Sequence, residues 1–375
     1  MMKEDNELEV KRERLAQVAE EAGVQGILLA THHNVAWITG GRSNRIDGSR
    51  DAGSARLLVT PQGRRMVFAN SIEMPRLMDE VLAGLDYEPV AFPWTEDQAD
   101  PGCAVTLALK ALGTGAAIGS DWPMPGATVI EGRIARARAL LTPAEVERYR
   151  ILGRDAGIAI GDLCRTLVPG LEEQEIARRA SDALAGVRAR GIVVLVGSDE
   201  RLLRYRHPVA TRTRWRNVVM VVVCAERDGL VVALSRIVCA GLVPEDLTSR
   251  TRVAASVFAR LLDESRPGAT GARLYAAAAD AYETAGYPGA ERSHHQGGAI
   301  GYRSREWVAH PRSSDVVEAR QAFAWNPSLP GAKVEDTSLV VGDDLDVITT
   351  TPDWPVIPVK ARGHTVMVSD VWSVV

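Results

Sequence analysis

The stretch from Ser293 to Val340 constrains this chain more than any other. It opens Ser293-His294-His295-Gln296-Gly297-Gly298-Ala299-Ile300-Gly301 and runs through Arg305-Glu306-Trp307 and Trp325-Asn326-Pro327. It closes Lys333-Val334-Glu335-Asp336-Thr337-Ser338-Leu339-Val340. A buried ionisable group loses its hydration and must find a partner. Paired histidines, a Gly-Gly step and an acidic pair inside a β-like run therefore read together as the floor of an active site rather than as packing.

The length, 375 residues, suits two domains. A net charge of −4 lacks the basic surplus of a nucleic-acid binder. No apolar run approaches the roughly 18 residues of a membrane span, and the mixed-charge N-terminus has no apolar signal core. These features imply a cytoplasmic protein with neither nucleic acid nor membrane as partner. Cys103, Cys164, Cys224 and Cys239 show no CxxC spacing and no disulfide-framework density.

Along the chain, apolar spacing predicts a helix over 8–23, then a buried strand at Gly26–Ala30. A short helix ending in Gly40-Gly41 follows. Pro61-Gln62-Gly63 between two apolar runs predicts a hairpin over 56–69. Helices are expected at 73–84 and 127–140, with a last strand of this region near 117–119. Thr142-Pro143-Ala144-Glu145 is a helix start, with Pro at the first position and Glu at the third, so a domain boundary falls between 141 and 142. Beyond it the pattern gives a long helix (143–166), a helix at 172–188 and strands at 191–196, 217–224 and 229–235. Helices at 246–264 and 270–286 precede strands near 298–302, 321–325, 334–340 and 346–349.

This order of signals resembles the creatinase / Xaa-Pro aminopeptidase superfamily, the "pita-bread" proteins. Asn34-Val35-Ala36-Trp37-Ile38-Thr39-Gly40 is similar to the family's Asn-x-x-Tyr-hydrophobic-Thr-Gly run. Gly297–Gly301, Asn326-Pro327 and Val334-Glu335-Asp336-Thr337 are similar to its C-terminal motifs. The resemblance implies an α+β fold: a creatinase-type α/β domain over 1–141 and a pita-bread domain over 142–375. It also implies a homodimer in which the region around Arg42 and Arg45 reaches the partner's cup, where these arginines would grip an anion.

The metallopeptidases of that family hold two divalent cations with two Asp, one His and two Glu. Matched position by position, those ligands fall here on Cys224, Ser235, Gly298, Asn326 and Glu335, and only the last is retained. Two hard cations need charged oxygen donors, so the match implies a divergent member with no dinuclear centre and no cofactor. A lone zinc on Cys224, a histidine and Glu335 is the remaining metal alternative. Creatinase uses the fold without metal, with a histidine as general acid/base. The comparable residues are His207, in Arg206-His207-Pro208, and Glu335.

Other residues join by position. His294 and His295 precede the Gly-Gly step, and in an extended strand only one of them faces the cup. Arg305 stands where the family has a second site histidine, with Glu306 beside it. An arginine there suits a substrate carboxylate, although Arg305 and Glu306 also read as a solvated pair. Glu335 needs a cation, such as Arg236 or a basic substrate. Ser235 and Asn326 offer neutral hydrogen bonds, and Trp325 reads as a stacking wall or as core. Cys224 reads as a buried thiol, or as a nucleophile if a base such as His207 activates it. The functional expectation is a metal-independent, creatinase-like hydrolase acting on a C–N bond of a small polar, amino-acid-like substrate. His207 would move the proton, with Glu335, His294 and Glu306 assisting. The alternatives are a metal-free lyase, cyclase or isomerase of specialised metabolism, and a non-catalytic peptide- or protein-binding module.

Overall fold

The computed structural model describes residues 2–374. The chain forms two compact units. One holds the residues up to Ala144 together with Asp228–Leu230, and the other holds Glu145–Arg227 and the residues from Val231 on.

The first unit is organised on the wholly buried strand Gly26–Thr31. It pairs antiparallel with Ala52–Val59 and parallel with Ile118–Ser120, inside a six-stranded sheet. The hairpin over 56–69 forms, with Gly63 at φ +85° in its turn, a conformation open to glycine without steric cost. Glu88–Phe92 and Thr128–Val129 complete the sheet edges. The expected helix at 73–84 is instead a short helix, Met74–Arg76, running into one π turn, Leu77–Val81. The helix expected from 127 begins at Glu131, because Thr128–Val129 pair with the sheet first. Among the described residues, no helix is long and apolar enough to cross a membrane.

The second unit carries the stretch at 293–340. A four-stranded sheet is ordered Val371–Val374, Leu230–Ala240, Val218–Arg227, Arg190–Ser198. A five-stranded sheet is ordered Trp307–Val308, Gly297–Ile300, Arg320–Trp325, Asp336–Val341, Asp344–Val347. The two meet along one seam. Ser235 N–H donates to Glu335 O at 3.0 Å, and Thr337 Oγ1 donates to Ala233 O while accepting from Ala233 N–H. Helices Glu245–Glu264 and Gly271–Thr284 bury the back of the five-stranded sheet, with Phe258, Leu261, Leu274, Phe323 and Trp325 in that core.

Helix Pro143–Arg165 approaches residues 348–351 through Gly153, Gly157 and Gly161. Their i, i+4, i+8 spacing puts them on one face. A Cβ at Gly157 would lie 2.4 Å from Thr350 O and 2.7 Å from Thr349 O. Alanine favours an isolated helix over glycine by about 1 kcal/mol, but backbone cannot yield to such contact as a side chain would. Gly157→Ala is expected to destabilise the chain by about 1–3 kcal/mol, read as a lower urea midpoint. An unchanged or raised midpoint would contradict this packing.

Candidate active site

The site grows from the seam. Glu335 precedes the strand Asp336–Val341 and is 3% exposed. Its Oε2 accepts from Lys333 Nζ at 2.8 Å and from Ser235 Oγ at 2.6 Å, and its Oε1 faces Arg305 Nη2 at 3.3 Å. Burial alone would push this carboxyl up. The charges of Lys333 and Arg305, with hydrogen bonds from Lys333 and Ser235, outweigh burial and hold it at about 2. Glu335 is thus a carboxylate whose two oxygens are already engaged by protein donors.

Arg236, considered for Glu335 alongside a basic substrate, serves Asp336. Its Nη2 donates to Asp336 Oδ1 at 3.0 Å and to Thr349 O, and its Nε donates to Thr351 Oγ1. The physical reason is alternation: successive residues of an extended segment point to opposite faces, so Glu335 and Asp336 require separate cations.

Three imidazoles gather beside this cluster. His207 follows the short helix Glu200–Arg204, and its loop is tied down by the fully buried Glu173. Glu173 accepts from Ser198 Oγ, from the Arg201 guanidinium, and from the N–H and hydroxyl of Thr211. His294 Nε2 lies 3.0 Å from His207 Nε2, so one ring donates and the other accepts. His295 stacks on His294 at 4.5 Å between centroids and lies 5.7 Å from His207. Both members of the 294–295 pair therefore reach the cluster, where strand alternation admitted one. The extended strand begins only at Gly297, and these residues leave a 3₁₀ turn, Ala290–Ser293. Gln296 secures the turn by accepting from Tyr282 Oη and donating to His294 O.

Burial, then Lys333, lowers the His294 pKa to about 2, with His295 and His207 adding to the effect. Burial, then Arg305, lowers that of His295 to about 4. Burial, then Lys333, also lowers His207, partly opposed by Glu335. All three rings are held toward the neutral form. His294 Nδ1 is buried without a hydrogen-bond partner, as are Arg305 Nε and Asn326 Oδ1.

Several expected members sit elsewhere or act differently. Trp325 is fully buried in the core, stacked 5.5 Å from Phe323, with its indole N–H on Ser265 Oγ. It is core, not a wall, because alternation in Arg320–Trp325 turns Phe323 and Trp325 to the helices. Glu306 folds onto its own turn, where Oε1 accepts from Tyr302 N–H at 3.0 Å. Cys224 is buried, and burial followed by the Glu335 charge pushes its thiol up to about 11. That environment opposes a thiolate nucleophile. Arg45 lies in the first unit, where the sequence placed it, and in that unit Arg42 donates to Val81 O and Ala83 O. Gly298 has no room for a side chain: a Cβ would lie 2.1 Å from Trp307 O.

Sequence reasoning missed Lys333. The signal was there, since Lys333 and Glu335 are two residues apart in an extended run and so share a face.

The sequence model of metallopeptidase family M24 matches residues 147–342, more than half of the chain. The chain belongs to metallopeptidase family M24. It is thereby a member of the creatinase/pita-bread superfamily. No curated protein sequence matches this M24 chain. Among solved structures it is similar to an Xaa-Pro dipeptidase from Bacillus anthracis, with TM-score 0.73 and 18% identity, over 98% of this chain and 100% of that one. It is similar to dipeptidase PepE from Mycobacterium ulcerans, with TM-score 0.77 and 20% identity, over 92% and 96%. It is also similar to the N-terminal domain of FACT complex subunit SPT16 from chickpea, with TM-score 0.67 and 12% identity, over 92% and 96%. At these identities the likeness establishes the fold.

Among the described residues of the M24 chain, His207, His294 and His295 form the group that a single metal ion could meet, with donor atoms within 4.8 Å of one another. Lys333 and Arg305 act on the same imidazoles and oppose further positive charge there.

The imidazole shifts carry a stability consequence. An unfolded histidine takes up a proton near its ordinary value of 6.5, whereas folded His294 does so only near 2. The unfolded chain therefore binds more protons across that window, and stability falls as pH drops below about 6.5. The facing groups are His207, His295, Lys333, Arg305 and Glu335. Glu335 adds loss only below its ordinary 4.5, as pH falls toward 2. Urea midpoints measured from pH 7 to pH 4.5 should decline in the wild type and decline less steeply in His294→Asn. Parallel slopes would refute the neutral, buried imidazole.

Proposed function

We propose that this chain is an enzyme that works without the paired metal ions of its family. It acts at a C–N bond of a small, amino-acid-like substrate, with His207 as the proton-transfer group. The observation that carries this reading is the state of Glu335. A metal-bridging carboxylate keeps its oxygens for the ions, whereas here Lys333, Arg305 and Ser235 take them. The remaining matched positions fit two hard cations no better. Cys224 is a soft donor held as a thiol, Ser235 is spent on Glu335, Asn326 is neutral, and Gly298 cannot accept a side chain. Protein cations fill the electrostatic role beside the retained carboxylate.

The chemistry left to such a cup is proton transfer. His207 keeps one exposed flank and hydrogen-bonds His294, which is neutral across the working range and can hold its tautomer. In hydrolysis, His207 would take a proton from water as it adds to the carbon of the C–N bond, then return it to the departing nitrogen. In the alternative lyase, cyclase or isomerase reading, the same imidazole takes a proton from carbon or nitrogen and returns it elsewhere on the substrate. The neighbours named as dipeptidases make amide C–N bonds the first class to test. The expected locale is the cytoplasm, and the expected assembly is a homodimer with Arg45 near the partner's cup.

The likeness to the SPT16 domain supports a second reading, a binding module on the same scaffold. One experiment separates the two. A screen of amino-acid-derived amides, guanidines and ureas is run with wild type and His207→Ala. An enzyme shows turnover that falls by about 10²–10⁴-fold in the variant, with an unchanged urea midpoint at pH 7. Its kcat/KM should decline on the acid side below pH 6.5, because burial and Lys333 lower the His207 pKa, with Arg305 adding to them. A ligand bound equally by both proteins without turnover would favour the module.

A further inference from the structure

The loop that brings His207 to the cup concentrates positive charge. Residues 200–216 hold six arginines against one glutamate, a net +5 with His207 neutral. The whole chain has a net charge of −4, so the remaining residues sum to −9. Asp199 closes the loop on itself. Its N–H donates to Val218 O at 2.8 Å, and its carboxylate accepts from the N–H groups of Arg216, Asn217 and Val218. Arg201 pins the interior: its guanidinium meets Glu173, donates to Val209 O at 2.8 Å and lies 5.6 Å over the Tyr205 ring.

Two of the six arginines are neutralised locally, Arg201 by the buried Glu173 and Arg214 by Glu172. Arg204, Arg212 and Arg216 are exposed, and among the described residues none of them has a carboxylate partner. Interleaved with them, Leu203, Tyr205 and Val209 are 50%, 48% and 68% exposed. Crowded like charges repel one another, and apolar side chains left in water forgo the gain of burial. One occupant relieves both. Because the base and interior of the loop are already hydrogen-bonded, its outer face is set before a partner arrives.

We propose that the outer face of residues 200–216 is a docking surface for an acidic polypeptide. Its carboxylates pair with Arg204, Arg212 and Arg216, and its apolar side chains cover Leu203, Tyr205 and Val209. A nucleic-acid backbone would satisfy the arginines but not Leu203 and Val209, and the −9 carried elsewhere repels an extended polyanion. Leu203 rests against Gly331 and Tyr205 lies under Arg201, so neither stands out as a side chain that wedges into a bilayer would. The surface belongs to the loop that holds His207, but it does not require that His207 catalyse anything.

Fluorescence anisotropy of the full chain tests this with a labelled peptide of repeating Asp-Leu-Glu-Ser, the same peptide with serine for leucine, and oligothymidylate of matching length. Vesicles containing phosphatidylserine are tested by co-sedimentation. The leucine peptide should bind at least about 10-fold tighter than the other two labelled probes, and the vesicles should not bring the protein down. The combined Arg204→Glu, Arg212→Glu and Arg216→Glu variant should lose at least about 10-fold in peptide affinity, with an unchanged urea midpoint. If that variant does not fold, Arg212→Glu alone decides, with an expected loss of about 3-fold. No binding of the leucine peptide, equal or tighter binding of either control, binding to the vesicles, or affinity indifferent to the arginines each overturns the proposal. So does a wild-type dimer in gel filtration that the arginine variant converts to a monomer, because a second copy then covers this face. His207→Ala should bind the peptide as wild type does. Peptide binding without any turnover would sink the catalytic reading alone. Turnover that depends on His207 in a protein that binds no acidic peptide would sink this one alone.

Discussion

A carboxylate removed from water needs compensating positive charge, and everything at this site follows from how Glu335 obtains it. Lys333, two residues earlier on the same extended run, supplies an ammonium at 2.8 Å, and Arg305 approaches from the turn before Trp307–Val308. Ser235 adds a hydroxyl across the seam between the two sheets, where its backbone N–H also meets Glu335 O. Backbone and side-chain contacts thus fix one residue from three segments. The same cations then act outward on His207, His294 and His295 and favour their neutral forms. Beside Glu335 the positive charge comes from the side chains of Lys333 and Arg305.

In this fold, shape and cup chemistry are carried by different atoms. The seam is made by main-chain bonds at Ser235 and by Thr337 Oγ1 against Ala233, none of which needs an acidic residue at a cup position. The core behind it, from Phe258 to Trp325, is apolar and indifferent to what the opposite face displays. At Gly298 the two become linked. Strand Trp307–Val308 lies too close for any Cβ there, so a histidine could be restored only by moving that strand.

Much of the architecture was legible from periodicity. Alternation and turn residues located the 56–69 hairpin, and helical spacing located the helices now seen at Pro143–Arg165, Glu245–Glu264 and Gly271–Thr284. Short elements were not legible. Thr128–Val129 is two exposed residues with no pattern to read. The strands Val356–Ala361 and His364–Ser369 went unread although Ile357, Val359 and Ala361, and Val366 and Val368, alternate toward the core. The site was legible as a gathering of residue types but not as a set of pairings. The match to known motifs drew His207, His294, His295, Arg305 and Glu335 together. Burial alone left Arg236 or a basic substrate as the cation for Glu335, because sequence does not say which of two adjacent acids turns toward a given strand. The match passed over Lys333, whose meaning appears only when the oxygens of Glu335 are accounted for one by one.

The most direct measurement is equilibrium dialysis of the full-length chain against Mn²⁺, Co²⁺ and Zn²⁺ near neutral pH, with Glu335→Gln alongside. If Lys333 and Arg305 hold Glu335 as described, the wild type retains none of these ions in paired stoichiometry, and removing the carboxylate changes nothing. Two equivalents retained by the wild type and lost in Glu335→Gln would contradict the account.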